Sequence, residues 1–296
     1  MARRRRIPGM LDVLTASDPA EIALLVEDRR LDRGPAEGPF LNRLIYGRAR
    51  RLLRVGTTPF PTMVSRWDQE RQHDQADLAA HLGDVAAGVG AFPEEDLAAI
   101  VAYVRGGSDR RAAGIAIQTL FGRLFVPDYR GDDASFAAAE LVNASLGSRN
   151  PLRWLIDRLT GRVERARDRL AQRVNGHPVA LHVTMVALHN LVVTAERMRT
   201  LYATRGERSI SPEDALALCF AAPPTVLRQA IRPADTIAGP VAKGTLVTLN
   251  LREASDGQLT PGATLLEGHW SQCPASLYLR SVVKEIWRRA KQEGGA

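Results

Sequence analysis

The stretch from Gly268 to Arg280, GHWSQCPASLYLR, holds one of only two cysteines in a chain of 296 residues. Cys273 is followed by proline and then by a run that reads as a helix. Proline suits the first helical position, which sets Cys273 near the N-cap. The positive end of the helix dipole favours an anion there, so a thiolate at this point is stabilised. Such a thiolate can act as a nucleophile or as a ligand to a metal, the iron of a haem included. A nucleophile needs a positioned base, and His269 lies four residues upstream. A zinc site needs about four ligands, and no C-x-x-C or H-x-x-x-H pattern accompanies Cys273. The plain alternative is a buried structural thiol. Cys219, just ahead of a proline pair, reads as a core residue.

The bulk composition narrows the classes. Hydrophobic residues make up 45% of the chain, charged residues 25% and aromatics only 5%, a balance that favours a helical globular protein over a β-sandwich. No run of about 18 or more apolar residues points to a membrane span. The opening MARRRR lacks an apolar signal core, and residues 1–10 read as a basic, flexible tail. Two cysteines make no disulfide framework and fit a reducing cytoplasm. The net charge of +7 raises the question of nucleic acid. The clusters at Arg3–Arg6 and at Arg48, Arg50, Arg51 and Arg54 carry no interleaved aromatics and no reading motif, so they read as solvated surface.

Working outward from Cys273, the chain reads as one mainly helical domain with a small β region late in the sequence. LDVLTA (Leu11–Ala16) is a strand, and Asp18-Pro19-Ala20-Glu21 opens a helix through a cap and a capping-box glutamate. Helices follow over 39–55, 64–82, 96–105, 112–125 and 133–146, and one long amphipathic helix over 152–174. The most apolar segment is Pro178 to about Tyr202, hydrophobic on nearly every side through Val193 and therefore buried. It carries His182 and His189, seven apart and so on similar faces. A histidine in a buried helix is a satisfied core group or a distal acid–base group. After Pro223-Pro224, TVLRQAIR and GTLVTLNL read as strands of a small sheet. Pro274 then starts the last helix.

From Ser211 onward the order of elements resembles the C-terminal part of a cytochrome P-450. A helix ends in Pro223-Pro224. Arg228 or Arg232 follows in a β segment, then Asp235, a turn at Gly239, and the strand Gly244-Thr245-Leu246-Val247-Thr248-Leu249. Cys273-Pro274 comes last, with Arg280 seven residues beyond. The opening VLTASDPAEI and the Pro178 helix are similar to the family in lesser degree, and WDQER (Trp67–Arg71) matches a W-x-x-x-R spacing found in some members. The chain departs from the pattern as well. The Glu-x-x-Arg pair falls on Ala217 and Phe220, Ala275 and Ser271 stand where a glycine and a propionate-binding residue are usual, and the acid–alcohol pair has no clean counterpart. One ungapped placement sets Asn175 to Ala180 over that pair; another sets Ala180 to Thr184 there and keeps the threonine.

The resemblance implies a cytochrome P-450-like, shortened helical fold and a haem b ligated through Cys273. It implies that Arg71, Arg228, Arg232 or His269 pairs with the haem propionates. It implies His182, His189 and Thr184 as groups near the reacting centre, and an apolar small molecule as substrate. Without the acid–alcohol pair, a peroxide-driven, isomerising or dehydrating reaction needs fewer parts than classical monooxygenation. Two alternatives stand beside this: a haem-free relative that stabilises a partner enzyme, and an unrelated helical binding protein.

Overall fold

The computed structural model describes residues 2–88, 92–148, 150–205, 210–221, 223–255, 262 and 265–292. They form two compact units, each assembled from several stretches of chain.

The first unit comprises residues 1–51, 61–79 and 222–276 and is built on a five-stranded sheet. The strands are β1 (Arg3–Ile7), β2 (Leu11–Ala16), β3 (Leu31–Asp32), β6 (Val226–Ala230) and β9 (Leu246–Leu249), in the order β1-β2-β9-β6-β3. A separate hairpin pairs β7 (Ala234–Thr236) with β8 (Gly239–Val241). β2 runs parallel to β9, with Leu14 opposite Val247, and the remaining sheet pairs are antiparallel. The sequence leaves LDVLTA as a strand without a partner; the structure joins it to the late strands.

Leu14, Ala16, Val247 and Leu249 turn into a core completed by Ile22, Leu25 and Val26 of α1 (Pro19–Glu27). Asp18 caps α1 by accepting hydrogen bonds from the backbone N–H groups of Ala20 and Glu21. Glu21 does not close a capping box; it accepts from the backbone nitrogen of Ala2. Residues 1–10 are not a free tail either. Arg3–Ile7 pair with Leu11–Thr15 of β2, and Arg4 binds Asp12 through two 2.9 Å contacts. A ladder of backbone hydrogen bonds plus an ion pair outweighs the polarity of the arginines, whose side chains stay exposed.

Gly38 and Gly244 cross at backbone contact. Both have positive φ, +88° and +84°, and a Cβ on Gly244 would lie 2.2 Å from the Cα of Gly38. Asn42, fully buried on α2 (Phe40–Leu52), ties the crossing by donating to the carbonyls of Asp12 and Gly244 at 2.7 and 2.9 Å. The Thr245 hydroxyl donates to Asp12 at 2.8 Å. The Gly-Thr pair of the GTLVTL strand therefore has a structural task at each residue.

The second unit comprises residues 52–60, 80–221 and 277–296. It opens with the short hairpin of β4 (Arg54–Val55) and β5 (Thr58–Pro59) and holds the end of α3 (Gln69–Ala87). The helices α4 (Glu94–Arg105), α5 (Arg110–Arg123), α6 (Asp133–Gly147), α7 (Pro151–Thr160) and α8 (Arg162–Arg173) follow. α9 (Pro178–His182) and α10 (Leu188–Arg205) are joined without a break by a π turn over Val183–Ala187, then comes α11 (Pro212–Cys219). α13 (Ser276–Gln292) closes the chain, and α12 (Leu251–Ser255) belongs to the first unit.

The single long helix expected over 152–174 is two helices. Gly161 sits at φ +58° and its N–H closes on the carbonyl of Asp157, a left-handed stop that a glycine adopts readily. The continuous stretch Pro178–Arg205 is long and apolar enough to cross a membrane by length and composition, and 56% of its most apolar window is buried. Burial on that scale also marks the core helix of a globular unit.

The glycine crossing generates a prediction. Gly244→Ala forces a Cβ into the Gly38 backbone at a left-handed position, and should lower stability by about 3 kcal/mol or more in urea unfolding. A loss below about 1 kcal/mol would mean that the two loops can separate without harm.

Candidate functional site

The loop of residues 265–275 presents Cys273. Leu266 anchors it in the core of the first unit. The backbone nitrogen of Cys273 donates to the carbonyl of Leu265 at 2.9 Å, and Gly268 N–H donates to the Gln272 side chain at 3.0 Å. α13 begins at Ser276, not at Pro274, so Cys273 lies three residues before the helix. That distance weakens the dipole effect expected from the sequence, which fades beyond the first turn. Burial dominates instead and pushes the thiol up to about 11; Glu267 adds to the rise, and a hydrogen bond from the Ala275 N–H opposes it. The free protein holds a thiol here.

Three residues before Cys273 stands Trp270. Its indole N–H donates to the carbonyl of Val26 at 2.8 Å. Four guanidinium groups surround its ring: Arg66 at 4.7 Å, Arg71 at 4.8 Å, Arg228 at 4.9 Å and Arg33 at 5.0 Å from the ring centre. Such contacts attract through the ring quadrupole, but they leave N–H donors unused. Nε and Nη2 of Arg228 and Nε of Arg33 are buried with no acceptor. The Ser271 hydroxyl beside Trp270 is buried and unpartnered too.

The electrostatics of this ring are unusual. Arg228 is 1% exposed, and burial drives its pKa down to about 10. Arg33 falls well below the ordinary arginine value through burial and through the charges of Arg228 and Arg71. Arg66 and Arg71 are lowered as well, chiefly by burial. The carboxylate whose field reaches all four is Asp32, which accepts from the Ser65 hydroxyl and from the Arg66 backbone N–H. The ring is thus a buried excess of positive charge with donors to spare, a site suited to carboxylates.

The remaining sequence-derived residues distribute unevenly. Arg71 and Arg228 are in the ring. Arg232 is exposed, with its charge acting on Asp28, and His269 pairs with Glu27 at 2.6 Å. In the second unit the π turn separates the two histidines. One extra residue in a helical turn rotates everything after it, so the seven-residue spacing does not put them on one face. His182 lies on a half-buried strip with Val179, Val183, Val186 and Ala187, its ring edge-on to Phe60 at 5.3 Å. His189 faces the buried side near Phe136, and burial lowers its pKa against the raising effect of the Ala139 carbonyl. Thr184 is fully buried. Its hydroxyl donates to the Ala180 carbonyl at 2.7 Å, and its own carbonyl accepts from Gln118 of α5 at 2.8 Å.

Sequence reasoning missed Arg33, Arg66 and Trp270. Arg66 stands directly before the W-x-x-x-R match, and Trp270 inside the stretch already singled out around Cys273. Arg33, in a loop between a strand and a helix, carries no local signal. Among the described residues no three of His, Cys, Asp and Glu converge as a metal cluster.

Two measurements check this description. Arg228→Met removes a buried charge that lacks a carboxylate, and should stabilise the ligand-free protein by about 1–2 kcal/mol in urea. A loss of stability instead would show that Trp270 and Asp32 outweigh desolvation. Cys219 is likewise pushed up to about 11 by burial. Cys219, buried, should resist alkylation at pH 8 and react fully on unfolding; Cys273, half-buried, should react more slowly in the folded protein than in the unfolded one. Their folded pKa values exceed the unfolded value of about 8.5, so this contribution to stability is whole below pH 8 and is lost as pH rises towards 11.

No family model and no curated protein sequence matches the chain. Solved structures do match in fold. The structure of P450 RauA complexed with a biosynthetic intermediate of aurachin RE aligns at TM-score 0.54 and 15% identity, covering 95% of this chain and 84% of that one. Ligand-free cytochrome P450 OleT aligns at TM-score 0.58 and 10% identity, over 97% and 83%. A myxobacterial cytochrome P450 in complex with myristic acid aligns at TM-score 0.50 and 14% identity, over 96% and 84%. The mainly α architecture with its small late sheet is therefore a fold of cytochrome P-450 type.

Proposed function

We propose that the chain is a haem-thiolate protein, an oxidoreductase that binds haem b through Cys273 and acts on an apolar small molecule. The observation that carries this reading is the arginine ring beside Cys273. Haem brings two propionate carboxylates, and the ring offers buried cations whose donors lack acceptors. Arg228 and Arg33 would supply charge-assisted hydrogen bonds, with Arg71 and Arg66 beside them. Cys273 would supply the thiolate ligand. Burial holds the free thiol protonated, so Cys273 would have to give up its proton to act as a metal ligand. The Ala275 N–H then remains as a hydrogen-bond donor to the sulfur. When bound, a thiolate-ligated haem iron favours cleavage of an O–O bond.

The family resemblance implies the Pro178–Arg205 stretch as the source of any proton-delivering group. Thr184 is bonded to its own helix and faces the buried side, and His189 is held neutral against α6. Neither is poised to relay protons. His182 is the titratable group on the half-buried apolar strip, and it is our acid–base candidate. Peroxide as oxidant suits this set, because it supplies both the oxygen atom and the two electrons: R–H and H2O2 give R–OH and H2O. The valines of the strip support an apolar substrate.

One observation favours a second reading. The indole of Trp270 already fills the centre of the arginine ring, and Ala217 and Phe220 replace the Glu-x-x-Arg pair. A haem-free protein that stabilises a partner enzyme would have both features.

The test is the absorption spectrum of purified protein supplied with haem, reduced with dithionite and exposed to carbon monoxide. A Soret band far to the red, lost in Cys273→Ala, is expected. Arg228→Met should weaken haem binding about tenfold or more, as loss of a charged hydrogen bond does. An ordinary Soret band unchanged by Cys273→Ala would move the ligand to a histidine. No haem uptake by either protein would establish the second reading.

A further inference from the structure

Helix α7 presents an apolar face that nothing in its own unit covers. Leu152, Leu155, Ile156 and Leu159 are 62%, 53%, 44% and 76% exposed. Their i, i+3, i+4, i+7 spacing puts them in one stripe along a ten-residue helix. The opposite face is the one the fold uses. Asp157 is 3% exposed, accepts from the Ser145 hydroxyl at 2.6 Å and pairs with Arg162. Trp154 donates its indole N–H to the Ser148 carbonyl at 2.8 Å. The stripe therefore points away from the body by construction, and no rotation of α7 can hide it without breaking these bonds.

Charge flanks the stripe. At about 100° per residue, Arg158 lies roughly 110° to one side of its centre and is exposed, so its long stem can reach outward beside the leucines; Arg153, as far to the other side, is half-buried with its Nε buried. Between Pro151 and Arg173 the two helices carry seven arginines against three carboxylates. Two of the carboxylates, Asp157 and Asp168, are engaged by Arg162 and Arg167. Arg158, Arg165 and Arg169 are exposed. An exposed apolar stripe bordered by arginines is the pattern of a helix that lies in the plane of a lipid–water interface.

We propose that α7 docks on an anionic bilayer surface, with the four aliphatic side chains entering the acyl boundary and the arginines of α7 and α8 meeting lipid phosphates. Each arginine near such a surface contributes about 1 kcal/mol, and the leucines add their burial. A second copy of the chain is the weaker fit. A stable interface buries about 1,200 Å² or more in total, which one helix about 15 Å long does not offer. Two facing copies would also set their arginines against each other.

The experiment is co-sedimentation of the full chain with vesicles of phosphatidylcholine alone and of phosphatidylcholine mixed with phosphatidylglycerol. We expect binding to the mixed vesicles, weakened by salt, and little to the neutral ones. The double variant Leu155→Ser, Leu159→Ser should bind roughly tenfold or more weakly. Both positions are exposed, so circular dichroism and urea unfolding should match wild type. Sedimentation velocity without lipid completes the set. The proposal falls if wild type stays in the supernatant, if the double variant binds as well as wild type, or if neutral and anionic vesicles bind alike. It also falls if wild type is a dimer that the double variant breaks.

Discussion

The first unit depends on two glycine backbones touching. Gly38 and Gly244 approach more closely than any side chain would allow, and both lie in the left-handed region. This contact fixes where the early chain meets the late chain. Asn42 reads both sides of the crossing, and Asp12 receives Arg4 from one direction and Thr245 from the other. The parallel pairing of β2 with β9 follows, since a strand from near the start of the chain must be brought alongside one more than two hundred residues later. Arg33 and Arg228 share a site because the loop after β3 and the strand β6 are held by the same frame.

Within that frame the arginine ring is a deliberate imbalance. Buried guanidiniums are ordinarily matched by carboxylates, since an unmatched charge in a low dielectric destabilises the fold. Here the cations gather on one indole, and Asp32, the carboxylate whose field reaches all four, is committed to the 65–66 turn. Such an arrangement marks a candidate ligand site. The raised pKa of Cys273 belongs to the same picture. Burial acts against the charged form in both cases, against the thiolate at Cys273 and against the guanidinium charges of Arg228 and Arg33.

Much of this was legible before any coordinates. LDVLTA, the Asp18 cap, the helices of residues 110–123 and 133–147 and the GTLVTL strand all carry local signals of period or cap. The resemblance points to Arg71 through the W-x-x-x-R spacing and to Arg228 or Arg232 through the order of elements after the proline pair. Legibility failed where distant residues decide the outcome. Gly161 looks like a tolerable glycine in an amphipathic run, and only its backbone angle breaks the helix. The hairpin over 54–59 is two residues wide on each side, too short for any period. Arg33 enters the ring through sheet pairing, which sequence spacing does not reveal. The two histidines looked coaxial because the count assumed regular α-geometry.

That last point reaches beyond the histidines. A π turn is what a helix becomes when one residue is inserted and the flanking turns stay in place. The Gln118 amide takes the Thr184 carbonyl and so gives the extra residue a fixed home. Any protein that shares this helix but lacks the turn will correspond to it in one phase before Val183 and in another after Ala187. A comparison residue by residue across this helix therefore needs a one-position gap at the turn, and without it every equivalence on one side is displaced by a neighbour.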